Sequence, residues 1–210
     1  MGLDLDFVPA EGLGLSPDSP HHHSNSGGPD CARIFRSLRI PPGSVAADLG
    51  SGKGGAAITL RELPFEEIVG VEISPKLVSI ANENATRLKL RNVRFVQCDA
   101  GAFTDLDRIT HIYMYNPFPC EVVARVMKNI EASIESVDRE ITLIYRNPIC
   151  DAVIRSSGLF ERISSTMIGE HECIIYRYAP RSVSRSDDTQ PSPRDSSAAA
   201  GLWRRRAVTR

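Results

Sequence analysis

A glycine-rich segment between two regular stretches reads DLGSGKGG over residues 48–55. The apolar run Val45–Leu49 is typical of a buried strand, and residues 53–63 have a pattern that predicts a helix. Glycine suits such a junction because the main chain must turn sharply and let a ligand lie against it. The segment therefore predicts a ligand-binding loop between a strand and a helix of an α/β sheet.

Two ligand classes fit the glycine spacing. Gly50, Gly52 and Gly55 satisfy G-x-G-x-x-G, which is typical of dinucleotide-binding loops. Gly50, Gly52 and Gly54 satisfy D-x-G-x-G-x-G when Asp48 is included. A carboxylate repels a pyrophosphate and attracts a ligand that carries an ammonium and a sulfonium group. Asp48 therefore favours the cationic ligand, and a nicotinamide dinucleotide is the alternative.

Strands and helices alternate along the chain from residue 44 onward. The pattern predicts strands over 45–49, 67–72, 93–98, 109–115 and 141–145, helices over 53–63, 119–136 and 149–157, a further helix that starts at Ser74-Pro75, and a closing hairpin over 160–167 and 172–178. Such alternation is typical of a doubly wound, mostly parallel sheet with helices on both faces.

Composition divides the chain into three segments. We predict an irregular arm over 1–29, an α/β domain over 30–180 and a disordered tail over 181–210. The chain has 25 basic and 26 acidic side chains, and the tail holds seven arginines and three aspartates of these. Residues 1–180 therefore carry 18 basic and 23 acidic side chains. This mildly acidic remainder lacks the basic face expected of a dedicated nucleic-acid-binding protein.

The cysteine pattern and the lengths of the apolar runs indicate the cellular compartment in which we expect the protein. The 210 residues contain no apolar run near the roughly 20 that a membrane span needs, and the first ten residues lack the basic cluster of a secretory signal. Five cysteines are widely spread without a C-x-x-C pair. We therefore expect no disulfide, no metal site, no membrane partner and a reducing cytoplasmic location.

Acidic residues follow two further predicted strands. Glu72 ends the second strand, 22 residues after Gly50, where a carboxylate accepts two hydrogen bonds from a ribose diol. Asp99 follows the third strand and is placed to accept from an adenine amino group. The alternative for Asp99 is that it caps a helix.

Four motifs together resemble the class I S-adenosylmethionine-dependent methyltransferases. They read DLGSGKG at 48–54, VEISP at 71–75, CDA at 98–100 and YNPF at 115–118, and the likeness extends over about residues 45–178. The resemblance implies a Rossmann-like three-layer sandwich with a mostly parallel seven-stranded sheet whose last strand is antiparallel. It also implies S-adenosyl-L-methionine as methyl donor, with cofactor-binding positions at Asp48, Gly50, Ser51, Gly52, Gly54, Glu72, Ile73, Asp99 and Ala100.

The resemblance narrows to small bacterial-type methyltransferases with no assigned substrate. Gly2-Leu3-Asp4 and Asn116-Pro117-Phe118 match an arm and a loop of that group. The loop also resembles the Asn-Pro-Pro-aromatic loop of amino-methyltransferases that act on nucleobases and glutamine. That resemblance implies that the Asn116 amide oxygen accepts a hydrogen bond from the target amine and that Phe118 stacks on the substrate.

This chain has Phe118 at the position where that loop usually has its second proline. A non-catalytic interpretation of Asn116 is also open. Asn116 then caps a turn, and Pro117 and Pro119 start a helix. We predict a methyltransferase and mildly favour nitrogen as the nucleophile that accepts the methyl group. A small molecule or a protein is favoured over a nucleic acid as the acceptor. The alternatives are an NAD(P)-dependent oxidoreductase and a non-catalytic cofactor-binding interaction protein.

Overall fold

The computed structural model describes residues 2–6 and 25–181. The strands are β1 (Val45–Leu49), β2 (Glu67–Glu72), β3 (Val93–Gln97), β4 (His111–Tyr115), β5 (Ile141–Arg146), β6 (Glu161–Ile168) and β7 (His171–Tyr178). The helices are α1 (Pro29–Arg36), α2 (Gly55–Leu60), α3 (Pro75–Arg87), α4 (Cys120–Ser136) and α5 (Asp151–Ser156).

The seven strands form one sheet in the order β3-β2-β1-β4-β5-β7-β6. The strands from β3 to β5 in this order run parallel to one another, whereas β7 runs antiparallel to both β5 and β6. Buried residues of α1 and α2 pack on one face of the sheet, and those of α4 and α5 pack on the other. The predicted fold class, a three-layer sandwich with an antiparallel last strand, is confirmed.

Local sequence signals place most element boundaries correctly. The observed β1 and β2 have the predicted bounds, and α3 begins at Pro75 behind the cap residue Ser74. The helix predicted over 53–63 is shorter, since Gly54 adopts a φ of 84° and the helix begins only after it. A left-handed residue cannot continue a right-handed helix.

The expectation of no disulfide is wrong. Cys120, the first residue of α4, is bonded to Cys150, the residue before α5. The two lie 30 positions apart, and they meet because β4 and β5, which lead into these helices, are adjacent in the sheet. The spacing alone carried no such signal. Cys31, Cys98 and Cys173 are free thiols.

Several predicted features lie outside the described residues. They are residues 7–24 of the predicted arm and residues 182–210 of the predicted tail. Within 2–6 and 25–181, no helix is long and apolar enough to cross a membrane. No group of three His, Cys, Asp or Glu side chains in those ranges is arranged to hold a metal ion.

Candidate functional site

The glycine loop lies at the carboxyl edge of the parallel strands. The backbone N–H groups of Gly50 and Ser51 both donate to the carbonyl of Val71, at 2.9 and 3.0 Å, so the loop bends over the end of β2. Gly50 has a φ of 83°, and a Cβ added to it would lie 2.3 Å from the Cβ of Pro117. Only glycine permits this approach, which brings the loops after β1 and β4 into contact.

Asp48 is buried at the start of this loop, with 1% of its surface exposed. Neither its Oδ2 nor the Oγ of Ser51 finds a hydrogen-bond partner among the described residues. Burial raises the pKa of the Asp48 carboxyl to about 7; the backbone N–H of Ala57 opposes the change and the charge of Glu72 adds to it. The site therefore contains a buried acceptor whose charge is costly until a donor or cation reaches it.

Glu72 joins the glycine loop to the end of β2. Its Oε2 accepts from the N–H of Gly52 at 3.0 Å, and its Oε1 accepts from the N–H of Ser74 at 2.9 Å. Each carboxylate oxygen has a second lone pair that these bonds do not use. The neighbouring Ile73 leaves 54% of its surface exposed, so an apolar surface lies beside the carboxylate.

Asp99 follows β3 and caps a 3-10 turn over Ala100–Ala102. Its Oδ1 accepts from the N–H of Gly101 at 2.8 Å, and its Oδ2 pairs with Arg125 of α4 at 2.9 Å. The capping interpretation thus describes the contacts that Asp99 makes, and its role toward adenine stays a prediction. The sequence analysis missed Arg125, which no local pattern connects to residue 99.

The Asn-Pro-Phe loop follows β4 and borders the glycine loop through Pro117. Asn116 adopts a φ of 38°, and its backbone N–H donates to the carbonyl of Arg146 at 3.1 Å. Phe118 is half-buried and packs against the core beneath α4. The fold therefore brings the candidate acceptor residues next to the candidate cofactor loop, although they are separated by more than 60 positions in the sequence.

A buried arginine lies beside that loop, and the sequence analysis did not single it out. The guanidinium carbon of Arg146 lies 4.6 Å from the ring centroid of Tyr115. Its Nη2 reaches Asp30 at 3.4 Å, and its buried Nε has no partner in the described part of the chain. His171 at the hairpin turn is half-buried, and its ring centroid lies 5.6 Å from that of Tyr115.

An asparagine of α3 holds the N-terminal residues against the glycine loop. The Oδ1 of Asn84 accepts from the N–H of Asp4 at 3.1 Å. Its Nδ2 donates to the carbonyls of Asp4 and Lys53, at 2.9 and 3.2 Å. This fully buried amide is thus satisfied by contacts that join α3 to the N-terminal residues and to the glycine loop.

Comparison with known proteins agrees with this geometry. A family model described as a methyltransferase domain matches residues 41–132, a range that begins before β1 and ends within α4. That range contains the glycine loop, Glu72, Asp99 and the Asn-Pro-Phe loop. The matched range, 92 of the 210 residues, is similar to a methyltransferase domain and includes the strands and loops that form the candidate site.

Curated relatives match parts of the chain. A release factor glutamine methyltransferase from Vibrio cholerae is 43% identical over 51 residues, which are 24% of this chain and 18% of the relative. A ribosomal protein L11 methyltransferase from Symbiobacterium thermophilum is 34% identical over 80 residues, 38% of this chain and 26% of the relative. The matches thus span about a quarter or less of the length of these relatives.

Solved structures share the fold over most of the chain. An RNA methyltransferase from Salinibacter ruber, in complex with S-adenosyl-L-homocysteine, superposes with a TM-score of 0.56 at 21% identity, covering 81% of this chain and 98% of that one. A SAM-dependent methyltransferase from Aquifex aeolicus gives a TM-score of 0.57 at 14% identity, covering 70% and 88%. At sequence identities of 14% and 21%, these superpositions show a shared fold.

Proposed function

We propose that the chain is an S-adenosyl-L-methionine-dependent methyltransferase that methylates a nitrogen of a protein acceptor. One observation supports the cofactor most directly. The buried Oδ2 of Asp48 has no hydrogen-bond partner among the described residues and lies where the glycine loop begins. A cationic ammonium would both satisfy this acceptor and stabilise its charge.

The other candidate residues fit the same cofactor. The free lone pairs of the Glu72 carboxylate suit a ribose diol, and the exposed face of Ile73 suits an adenine ring. Gly50 and Gly54 let Pro117 and Phe95 approach the loop closely, which fixes the course of its main chain. A pyrophosphate at this loop would meet the Asp48 carboxylate, which argues against NAD or NADP, whereas a ribose acceptor such as Glu72 fits either cofactor.

Bound S-adenosylmethionine supplies an electrophilic methyl group, and the residues of this chain position the acceptor. Methyl transfer is an in-line displacement, so holding the nucleophile in the right orientation supplies much of the acceleration. We assign this orientation to the side-chain amide of Asn116, which lies in the loop that contacts Gly50 through Pro117. We assign Phe118, on the same loop, to stacking on the substrate.

A protein acceptor is favoured over a nucleic acid by two observations. The names of the curated relatives specify a release factor glutamine and ribosomal protein L11 as acceptors. The chain outside its last 30 residues carries 18 basic against 23 acidic groups, which is unfavourable for binding a polyanion. The cytoplasmic location predicted from the sequence is part of this proposal.

Thermal unfolding with added ligand tests the cofactor. S-adenosylmethionine and S-adenosylhomocysteine should each raise the Tm of the full chain, because a ligand that binds only the folded state stabilises it by mass action. NAD and NADP should leave the Tm unchanged. A Tm increase with a nicotinamide alone would overturn the proposal in favour of an oxidoreductase, and no increase with any of the four would favour an interaction protein.

Transfer of a labelled methyl group tests the acceptor and the role of Asn116. Label from S-adenosylmethionine should enter the protein fraction of a cell extract. After acid hydrolysis it should appear in N-methyl amino acids or, where an amide nitrogen was methylated, in released methylamine. Asn116→Ala should retain cofactor affinity and lose transfer by two orders of magnitude or more, since positioning is lost. Label in the RNA fraction, or full transfer by Asn116→Ala, would contradict the proposal.

A further inference from the structure

Residues 2–6 form an extended segment, here called the strap, that lies against the glycine loop and α3. Its main chain is held at two points. The side chain of Asn84 makes reciprocal hydrogen bonds with the N–H and the carbonyl of Asp4, and Arg87 donates to the carbonyl of Gly2 at 3.0 Å. These contacts fix the position of the Asp4 side chain relative to the loop.

The loop residue that meets the strap is a buried lysine. The side chain of Lys53 is only 4% exposed, and its ammonium forms an ion pair with the carboxylate of Asp4, which is 46% exposed. Asn84 also donates to the carbonyl of Lys53, so a single amide joins the strap to the loop. A buried ammonium is costly without a counter-charge, and Asp4 supplies that charge from outside the loop.

We propose that Asp4 is an electrostatic positioning residue of the cofactor site, which neutralises Lys53 so that the glycine loop accepts a positively charged donor. This inference rests on the proposed function, because it concerns the same loop and the same cofactor. Asp4 touches Lys53 and Asn84 and acts on the cofactor through them. The strap is therefore part of the binding site even though it lies 44 positions before the glycine loop.

The charge of the ligand makes this role measurable. S-adenosylmethionine carries an ammonium, a sulfonium and a carboxylate, for a net charge of +1 at neutral pH. S-adenosylhomocysteine lacks the sulfonium charge and is neutral overall. An unpaired lysine in the loop repels the first ligand and not the second, so loss of the Asp4 charge should change the ratio of their dissociation constants.

Asp4→Asn in the full chain, with any purification tag at the C-terminus, removes the charge and keeps both backbone contacts with Asn84. By calorimetry at low salt, we expect the ratio of the Kd of S-adenosylmethionine to that of S-adenosylhomocysteine to rise roughly three- to tenfold over wild type. The double variant Asp4→Asn with Lys53→Met should restore the wild-type ratio, because it removes both charges. Asp4→Glu should keep the ratio near wild type.

Asn84→Ala is the matched control for a purely structural role. It loosens the strap and the loop but keeps the Asp4 charge in the chain, so it should weaken both ligands and change their ratio far less than Asp4→Asn does. An unchanged ratio in Asp4→Asn, or an equal change of ratio in Asn84→Ala, would overturn the inference while leaving the proposed function standing. If neither ligand bound the wild-type chain, the proposed function itself would fail and the inference with it.

Discussion

At the scale of single residues, the candidate cofactor site is defined by carboxylates with different surroundings. Asp48 is buried with one oxygen that has no partner among residues 2–6 and 25–181, whereas each oxygen of Glu72 accepts from a backbone N–H. Asp99 is committed to a turn and to Arg125. Their surroundings differ although all three acids lie at the same edge of the sheet, and we propose that they bind different groups of one ligand.

Glu72→Ala tests the ribose assignment. The change should weaken binding of S-adenosylmethionine by roughly 1–3 kcal/mol, because hydrogen bonds to a charged acceptor are lost. Titration calorimetry at pH 7.5 measures the difference. Glu67→Ala is the matched control, because Glu67 begins the same strand and pairs with Arg94 and Arg108 far from the glycine loop. Equal affinity in wild type and Glu72→Ala would show that the ribose binds elsewhere.

At the scale of elements, the site depends on the connections that follow β4 and β5. Asn116 and Asn147 each leave their strand in a left-handed conformation, with φ values of 38° and 50°. Asparagine tolerates this region better than most residues. The Cys120–Cys150 disulfide then joins the starts of the two following helices. The Asn-Pro-Phe loop is thus bounded by the contact of Pro117 with Gly50 on one side and by the disulfide on the other.

Replacement of the disulfide tests how strongly it stabilises these connections. Cys120→Ser with Cys150→Ser should lower the free energy of unfolding by about 3–4 kcal/mol, because the reduced chain regains the entropy of a loop of about 30 residues. Urea unfolding of the oxidised protein measures this value. Cys98→Ser, which removes a free thiol, should change stability by well under 1 kcal/mol, and a loss as large as that of the double variant would refute the assignment.

At the scale of the whole molecule, burial of the Asp48 carboxyl lowers the free energy of unfolding at neutral pH. Burying the Asp48 carboxyl raises its pKa from an ordinary 3.8 to about 7, so the folded chain binds this proton more tightly than the unfolded chain does. The contribution of Asp48 to stability is therefore largest below about pH 4 and declines as the pH rises toward 7. Functional sites commonly retain such unfavourable groups.

Asp48→Asn should remove this pH dependence. Between pH 4 and pH 8, the free energy of unfolding of the variant should gain up to about 4 kcal/mol relative to wild type, because each tenfold change in an acid dissociation constant corresponds to about 1.4 kcal/mol. Urea unfolding at several pH values measures the difference in unfolding free energy between variant and wild type, and the change of this difference with pH reports the titration of Asp48. The same variant should lose affinity for S-adenosylmethionine. A difference that stays constant with pH would show that Asp48 titrates normally.

The sequence by itself determined the alternation of strands and helices, the position of the glycine loop and the acids at the ends of β2 and β3. These are local signals, because apolar periodicity, glycine and cap residues act within a few positions. The bounds of β1 and β2 and the start of α3 were predictable for that reason.

Only the tertiary structure decided which distant residues complete the site. Asp4 meets Asn84 across 80 positions and Lys53 across 49, and Cys120 meets Cys150 across 30. Arg146 is buried beside Tyr115 because β4 and β5 are neighbours in the sheet. Such contacts depend on strand order and on which face each side chain occupies, and a single sequence carries no local pattern that encodes the pairing of two remote polar groups.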